Sequence, residues 1–190
     1  MIGLRSQFGP SLVLVLVVTM LAVPAAVMAA RRASATGGSP LRAAARVLAA
    51  GAVTATIVAT ALPRRLGIET DGDLVLRLGA GGLRSWRVLF DDPTSLASVE
   101  LVSNVLLYGA VGFTMTLGWF GQRRFVLPTC LTLSVLIEAV QWGLLGRVAA
   151  LDDVVLNGAG ALIGYLVAVV VARSRLGYFE NAVITNKVAG

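Results

Sequence analysis

The chain has no histidine among its 190 residues and a single cysteine, Cys130. The first absence excludes a His-based triad, a histidine general base and the common zinc sites. The second excludes an internal disulfide. Charge is scarce as well, at 14% of residues, with 16 Lys and Arg against 10 Asp and Glu. No internal repeat is visible. What is abundant is apolar: 57% of the residues are hydrophobic and the mean hydropathy is +0.84. A soluble domain of this size would not tolerate that composition, so the chain reads as an integral membrane protein.

A helix needs roughly 20 apolar residues to cross about 30 Å of hydrocarbon. Five segments qualify, at residues 10–30, 43–62, 101–120, 125–145 and 154–172. The expected fold is all-α, a polytopic transmembrane bundle forming one domain. It divides into an N-terminal two-helix region (1–62), an extracytoplasmic loop (63–99), a three-helix core (100–172) and a cytoplasmic tail (173–190). Short connections make the last three spans antiparallel neighbours. Cys130 falls inside the fourth span, where packing is its expected role. Arg46, near the start of the second, is long enough to snorkel to the headgroups.

The first segment also has the look of a secretory signal peptide, with Arg5, an apolar core from Leu12 to Val23, Pro24 and a Val27-Met28-Ala29 cleavage pattern. Charge bias argues against cleavage. With five spans and the N-terminus outside, the inner connections hold Arg31, Arg32, Arg42, Arg46, Arg123, Arg124, Arg173, Arg175 and Lys187. These are the short, basic, acid-poor segments that stay in the cytoplasm. A multi-pass plasma-membrane protein with its N-terminus out and its C-terminus cytoplasmic is therefore expected. The sequence pI near 10.7 does not signal nucleic-acid binding, because the arginines mark span ends and form no basic face or known module.

The connection RRASATGGSP (Arg31 to Pro40) reads as charge anchors and flexible spacer. In the larger loop, Asp73 to Phe90 shows two alternating runs about Gly79-Ala80-Gly81-Gly82, the pattern of a β-hairpin near the bilayer surface. Trp86 between Arg84 and Arg87 suits an anchor at headgroup level. Asp92-Pro93 has the form of an N-cap followed by proline at the first helical position of the third helix.

Glu138 is the only charge in the 22 residues from Phe125 to Gly146. An ionised carboxylate at that depth costs several kcal/mol, on the order of 3, unless it is paired or wetted. Antiparallel order brings the start of one span beside the end of the one before. Asn104, Glu138, Gln141 and Asn157 therefore belong to one leaflet, with Arg147 and Asp153 at its mouth. Glu138 and Gln141 share a helix face that Ser134 extends, and Asn104 pairs with Tyr108 at i, i+4. Asp153, Asn157, Ala161 and Gly164 share a face of the fifth span. Gly160 and Gly164 make a small-residue surface expected to draw Asn157 toward Glu138. Each residue has a structural reading too: Asp152 and Asp153 as helix caps, Asn104 and Asn157 as interhelical glue, Arg147 as an interface anchor.

At these residues the sequence resembles the VanZ-like family. The carrying segments are NVLLYGAVGF (Asn104 to Phe113), IEAVQ (Ile137 to Gln141) and GRVAALDDVVLNGAGALIGY (Gly146 to Tyr165). They match the family pattern at Asn104, Gly112, Glu138, Gln141, Arg147, Asp153, Asn157, Gly160 and Gly164, over about residues 100–172. Ala110 departs from it, standing where many members have proline. The resemblance implies a membrane protein related to one that gives low-level resistance to teicoplanin-type glycopeptides.

Three functional classes stay open. In a binding protein, Asn104, Glu138, Gln141, Arg147, Asp153 and Asn157 form a ligand site, and the planar fork of Arg147 meets an anionic envelope lipid, a lipid-linked cell-wall precursor or a glycopeptide. In an intramembrane enzyme, Glu138 and Asp153 are the acid and base candidates, though no nucleophile, metal cluster or phosphate loop accompanies them. In a scaffold, the network holds helices together while Gly112, Gly160 and Gly164 pack them, and another membrane protein is the partner. No cofactor, metal or nucleic acid is called for. A transporter is disfavoured by the lack of inverted repeats.

Overall fold

Glycine and proline decide where the first two helices meet. In the computed structural model, which describes residues 4–61, 74–75, 91–92, 95–145 and 149–188, helix α1 runs over Leu4–Ala35. Gly37 then turns left-handed (φ +73°), so that Gly38 N–H donates to Ala33 O at 2.7 Å and Gly37 N–H to Ser34 O at 3.4 Å. That pair of bonds is a Schellman cap. Helix α2 (Pro40–Ala61) starts at once, with proline in its first position and the Ser39 hydroxyl accepting from Arg42 N–H at 3.4 Å. The stretch read as a flexible spacer is thus mostly helix and cap, because its Gly-Gly and Ser-Pro pairs are termination and initiation signals.

Among the described residues three more long helices follow: α3 (Leu96–Gly118), α4 (Val126–Leu145) and α5 (Leu151–Val188). A tight 3-10 segment, Phe120–Phe125, joins α3 to α4. The cap of α3 is Ser95, whose side chain accepts from Ser98 N–H at 3.2 Å; Asp92 contributes its carbonyl, which accepts from the Ser98 hydroxyl at 2.9 Å. The start read at Asp92-Pro93 therefore moves three residues on, to a serine whose oxygen reaches the helix amides. Helix α3 is one uninterrupted element through Ala110.

Five stretches are long and apolar enough to span a bilayer: Val13–Ala35, Pro40–Thr60, Ser98–Gly118, Phe120–Leu144 and Leu151–Ser174. The protein is an all-α polytopic membrane bundle. Its outer faces carry exposed Leu16, Met20, Leu106, Leu136, Leu162 and Val170, as lipid contact requires. Threonine hydroxyls within the spans return to backbone carbonyls one turn back, as in Thr56 to Ala52 (2.9 Å) and Thr116 to Gly112 (2.6 Å), which satisfies those donors inside the helix.

Small residues set the packing. Helix α1 lies chiefly on α2, where a methyl added at Gly51 would come within 2.7 Å of Ala22 Cβ. The tightest contact joins α3 and α5. A methyl at Gly112 would strike the Ala161 backbone, one at Gly160 the Val105 carbonyl, and one at Gly164 the Gly109 carbonyl. From Val105–Gly160 to Gly109–Gly164 both helices advance by four residues, so α3 and α5 run parallel. The neighbour on which the glycine face is seated is α3, while Asn157 and Glu138 line one cavity. Between the helices lie Tyr108, Val111, Val126, Cys130, Ile137 and Ala161, all buried.

Outside the helices, β1 (Leu74–Val75) pairs in parallel with β2 (Ala149–Ala150), in the register Leu74 to Ala149 and Val75 to Ala150. The first run of the expected hairpin thus finds its partner before α5. The remainder of that hairpin, with Arg84, Trp86 and Arg87, lies outside the described residues.

Candidate functional site

The ends of α2 and α4 and the starts of α3 and α5 meet at one end of the bundle, and their polar side chains converge there. A cavity of about 50 Å³ is lined by Thr60 of α2, Glu100 and Asn104 of α3, Ile137, Glu138 and Gln141 of α4, and Asp153 and Asn157 of α5. Its size suits water molecules and excludes a whole headgroup.

Glu138 is 8% exposed. Its Oε2 accepts from Ala150 N–H at 3.3 Å. A continued helix would carry residue 150 about 18 Å along the axis from residue 138. By Ala150 the chain has therefore returned to the level of Glu138. One turn below, the Asn157 amide donates from Nδ2 to Ser134 Oγ at 2.9 Å, joining α5 to α4. Gln141 donates from Nε2 to Thr60 O at 3.2 Å, taking up a carbonyl from the last turn of α2 that the helix cannot satisfy.

Five of the residues read from the sequence, Asn104, Glu138, Gln141, Asp153 and Asn157, thus face one space. Arg147 lies outside the described residues. Gly112, Gly160 and Gly164 lie in the α3–α5 contact, away from the cavity lining. Sequence reasoning missed Thr60 and Glu100, which line the cavity. Glu100 is four residues before Asn104, a helical spacing that offered a signal; Thr60 at the end of an apolar span offered none. Asp152 is fully buried, in the first turn of α5, where a carboxylate complements the helix dipole.

Among the described residues two buried side-chain atoms make no hydrogen bond: Tyr108 Oη and Asn157 Oδ1. The Asn157 oxygen is an acceptor in a residue that lines the cavity beside three carboxylates, Glu100, Glu138 and Asp153. Among the described residues no cluster of three or more Cys, Asp or Glu is placed to hold a metal ion.

The model of the VanZ/LLP1 family matches residues 11–172, most of the chain. The chain belongs to the VanZ/LLP1 family. The match takes in α1 and α2 as well as the three helices that carry the motif residues, so the kinship reaches well beyond residues 100–172. No curated protein and no solved structure matches the chain. Family membership together with five spanning helices makes this VanZ/LLP1 protein a multi-pass membrane protein, and a role in glycopeptide resistance fits the family name.

Proposed function

We propose that this VanZ/LLP1 protein is a binding protein of the outer leaflet, which holds the polar part of an envelope ligand at the mouth of the Glu138 cavity. The observation that supports this most is the convergence of polar side chains from four helices on one space, with the Asn157 oxygen left to accept a bond. The cavity takes water or a small donor group, and the larger headgroup sits at the mouth. The counter-charge expected from the sequence is Arg147, two residues before β2, whose planar fork suits phosphate or carboxylate oxygens. The ligand class is an anionic envelope lipid, a lipid-linked cell-wall precursor or a glycopeptide. Capture of such a ligand is how the protein contributes to teicoplanin-type resistance.

The test uses the purified chain in nanodiscs with a lipid-linked peptidoglycan precursor as probe. Arg147→Lys keeps the charge but loses the paired geometry. A loss of about tenfold in affinity, with insertion and folding intact, is expected from one charge-assisted hydrogen bond worth about 1.5 kcal/mol. Unchanged capture by the folded variant refutes the reading.

A scaffold role has its own support, in that Asn157 to Ser134 and Gln141 to Thr60 tie helices together without a ligand. On that reading a folded Asn104→Ala variant keeps full teicoplanin tolerance in a susceptible host. Binding predicts that tolerance falls.

A further inference from the structure

The opposite end of the bundle holds a second, larger cavity of about 430 Å³, between the first turns of α2 and the α3–α4 connection. Arg42, Arg46, Trp119, Phe120 and Gln122 contribute to its walls. Its volume lies within the roughly 300–1,000 Å³ of ligand sites.

Arg46 is held in place. Its Nε donates to Gly118 O, at the end of α3, at 3.1 Å, and its guanidinium carbon sits 5.4 Å from the Trp119 ring centroid. The remaining nitrogens of Arg46, and the whole guanidinium of Arg42, make no hydrogen bond or ion pair among the described residues. Arg42 and Arg46 are one turn apart on the same face, a like-charge spacing that opposes helix formation. Arg42 also lies in the first turn of α2, where the helix dipole disfavours a cation.

Nothing nearby in sequence compensates them. Residues 31–61 and 101–137, which include every residue lining this cavity, contain no Asp or Glu, whereas Arg31, Arg32, Arg123 and Arg124 add positive charge near it. An anion is the missing partner. The cavity also opens at headgroup depth, because the span Pro40–Thr60 begins there and Ser98–Gly118 ends there. Leu41 and Phe125, both exposed at this end, supply apolar surface of the kind that lies against glycerol and acyl chain.

We propose that the cavity binds the phosphate of an anionic phospholipid of the adjoining leaflet, with Arg42 and Arg46 as its counter-charges and Trp119 as a wall. Arg pairs of this kind between membrane helices suit phosphodiester headgroups. The site is separate from the Glu138 cavity and does not depend on what that cavity binds.

The full-length protein in mild detergent, titrated with short-chain phosphatidylglycerol and followed by native mass spectrometry, tests this. Phosphatidylglycerol is expected to bind about tenfold more tightly than phosphatidylcholine of equal chain length. Arg42→Gln is expected to weaken it at least fivefold, because that guanidinium makes no internal hydrogen bond and its loss spares the fold. Arg31→Gln, outside the cavity, serves as the control and is expected to leave affinity within twofold. If Arg42→Gln does not fold, Arg42→Lys replaces it, with an expected loss of two- to fivefold. Equal losses in the Arg31 and Arg42 variants, or equal binding of phosphatidylcholine, overturn the proposal. Displacement of the lipid by inorganic phosphate at the lipid's own concentration overturns the lipid assignment in favour of a soluble anion.

Discussion

Asn157 and Ser134 make a side-chain bond of 2.9 Å between two helices at the polar end, and both are buried. A double-mutant cycle of Asn157→Ala and Ser134→Ala in thermal unfolding should give a coupling of about 0.6–1.7 kcal/mol, the range for hydrogen bonds between membrane helices. A coupling of zero would mean the bond does not hold α4 to α5. Gly164 makes a sharper case, because a methyl there meets backbone of α3, which cannot rotate away. Gly164→Ala should destabilise by about 1–3 kcal/mol. Gly143→Ala, which meets nothing within 4 Å, should be neutral or slightly stabilising in the same measurement. At this scale the sequence was legible wherever lipid makes a polar group expensive. Glu138 and Gln141 stand out because almost nothing else in their span is polar. Thr60 and Glu100 stand near span ends, where polar residues are ordinary, and only their convergence on the cavity distinguishes them.

Among elements, the β1–β2 pair and the Glu138 to Ala150 bond close the polar end together. Ala150→Pro removes the amide hydrogen that Glu138 accepts while leaving α5 able to start, since proline is tolerated beside a helix N-terminus. The expected cost is about 1.5–3 kcal/mol, for a bond to a charged group. Limited proteolysis between α2 and α3 should also become faster, and an unchanged digestion rate would show that the bond does not secure this end. The five helices could be read from the sequence because each needs only a long apolar run. Their limits were less legible. The Ser95 cap and the Schellman turn at Gly37 depend on which of several capping residues reaches the backbone, and Asp92, Ser95 and Ser98 all have suitable oxygens. The seat of the Gly160–Gly164 face on α3 was likewise hidden, because a small-residue stripe states that a helix comes close without stating which one.

Across the whole molecule, charge is sorted by end. Nine of the ten acidic residues fall within residues 69–100 or 138–153 of the sequence, and Glu100, Glu138 and Asp153 among them line the Glu138 cavity, while Arg31, Arg32, Arg42, Arg46, Arg123 and Arg124 gather at the other end. The positive-inside rule predicts that the arginine end faces the cytoplasm. In a Cys130→Ala background, a membrane-impermeant maleimide should label Asp91→Cys in intact cells and Ser39→Cys only after permeabilisation. The reverse pattern would invert the protein and move the polar site to the inner leaflet. The number of spans, their alternation and this sorting were determined by sequence alone, because hydrocarbon enforces them locally, residue by residue. Tertiary structure decided what no local rule contains: that α3 and α5 touch through their glycines, that the chain returns to bring Ala150 to Glu138, and that Thr60 and Glu100 join the cavity. Those contacts bring together residues as many as 97 positions apart, from Thr60 to Asn157. Which of several apolar faces meet is set by the shape of the small residues between them, and apolarity alone does not encode it.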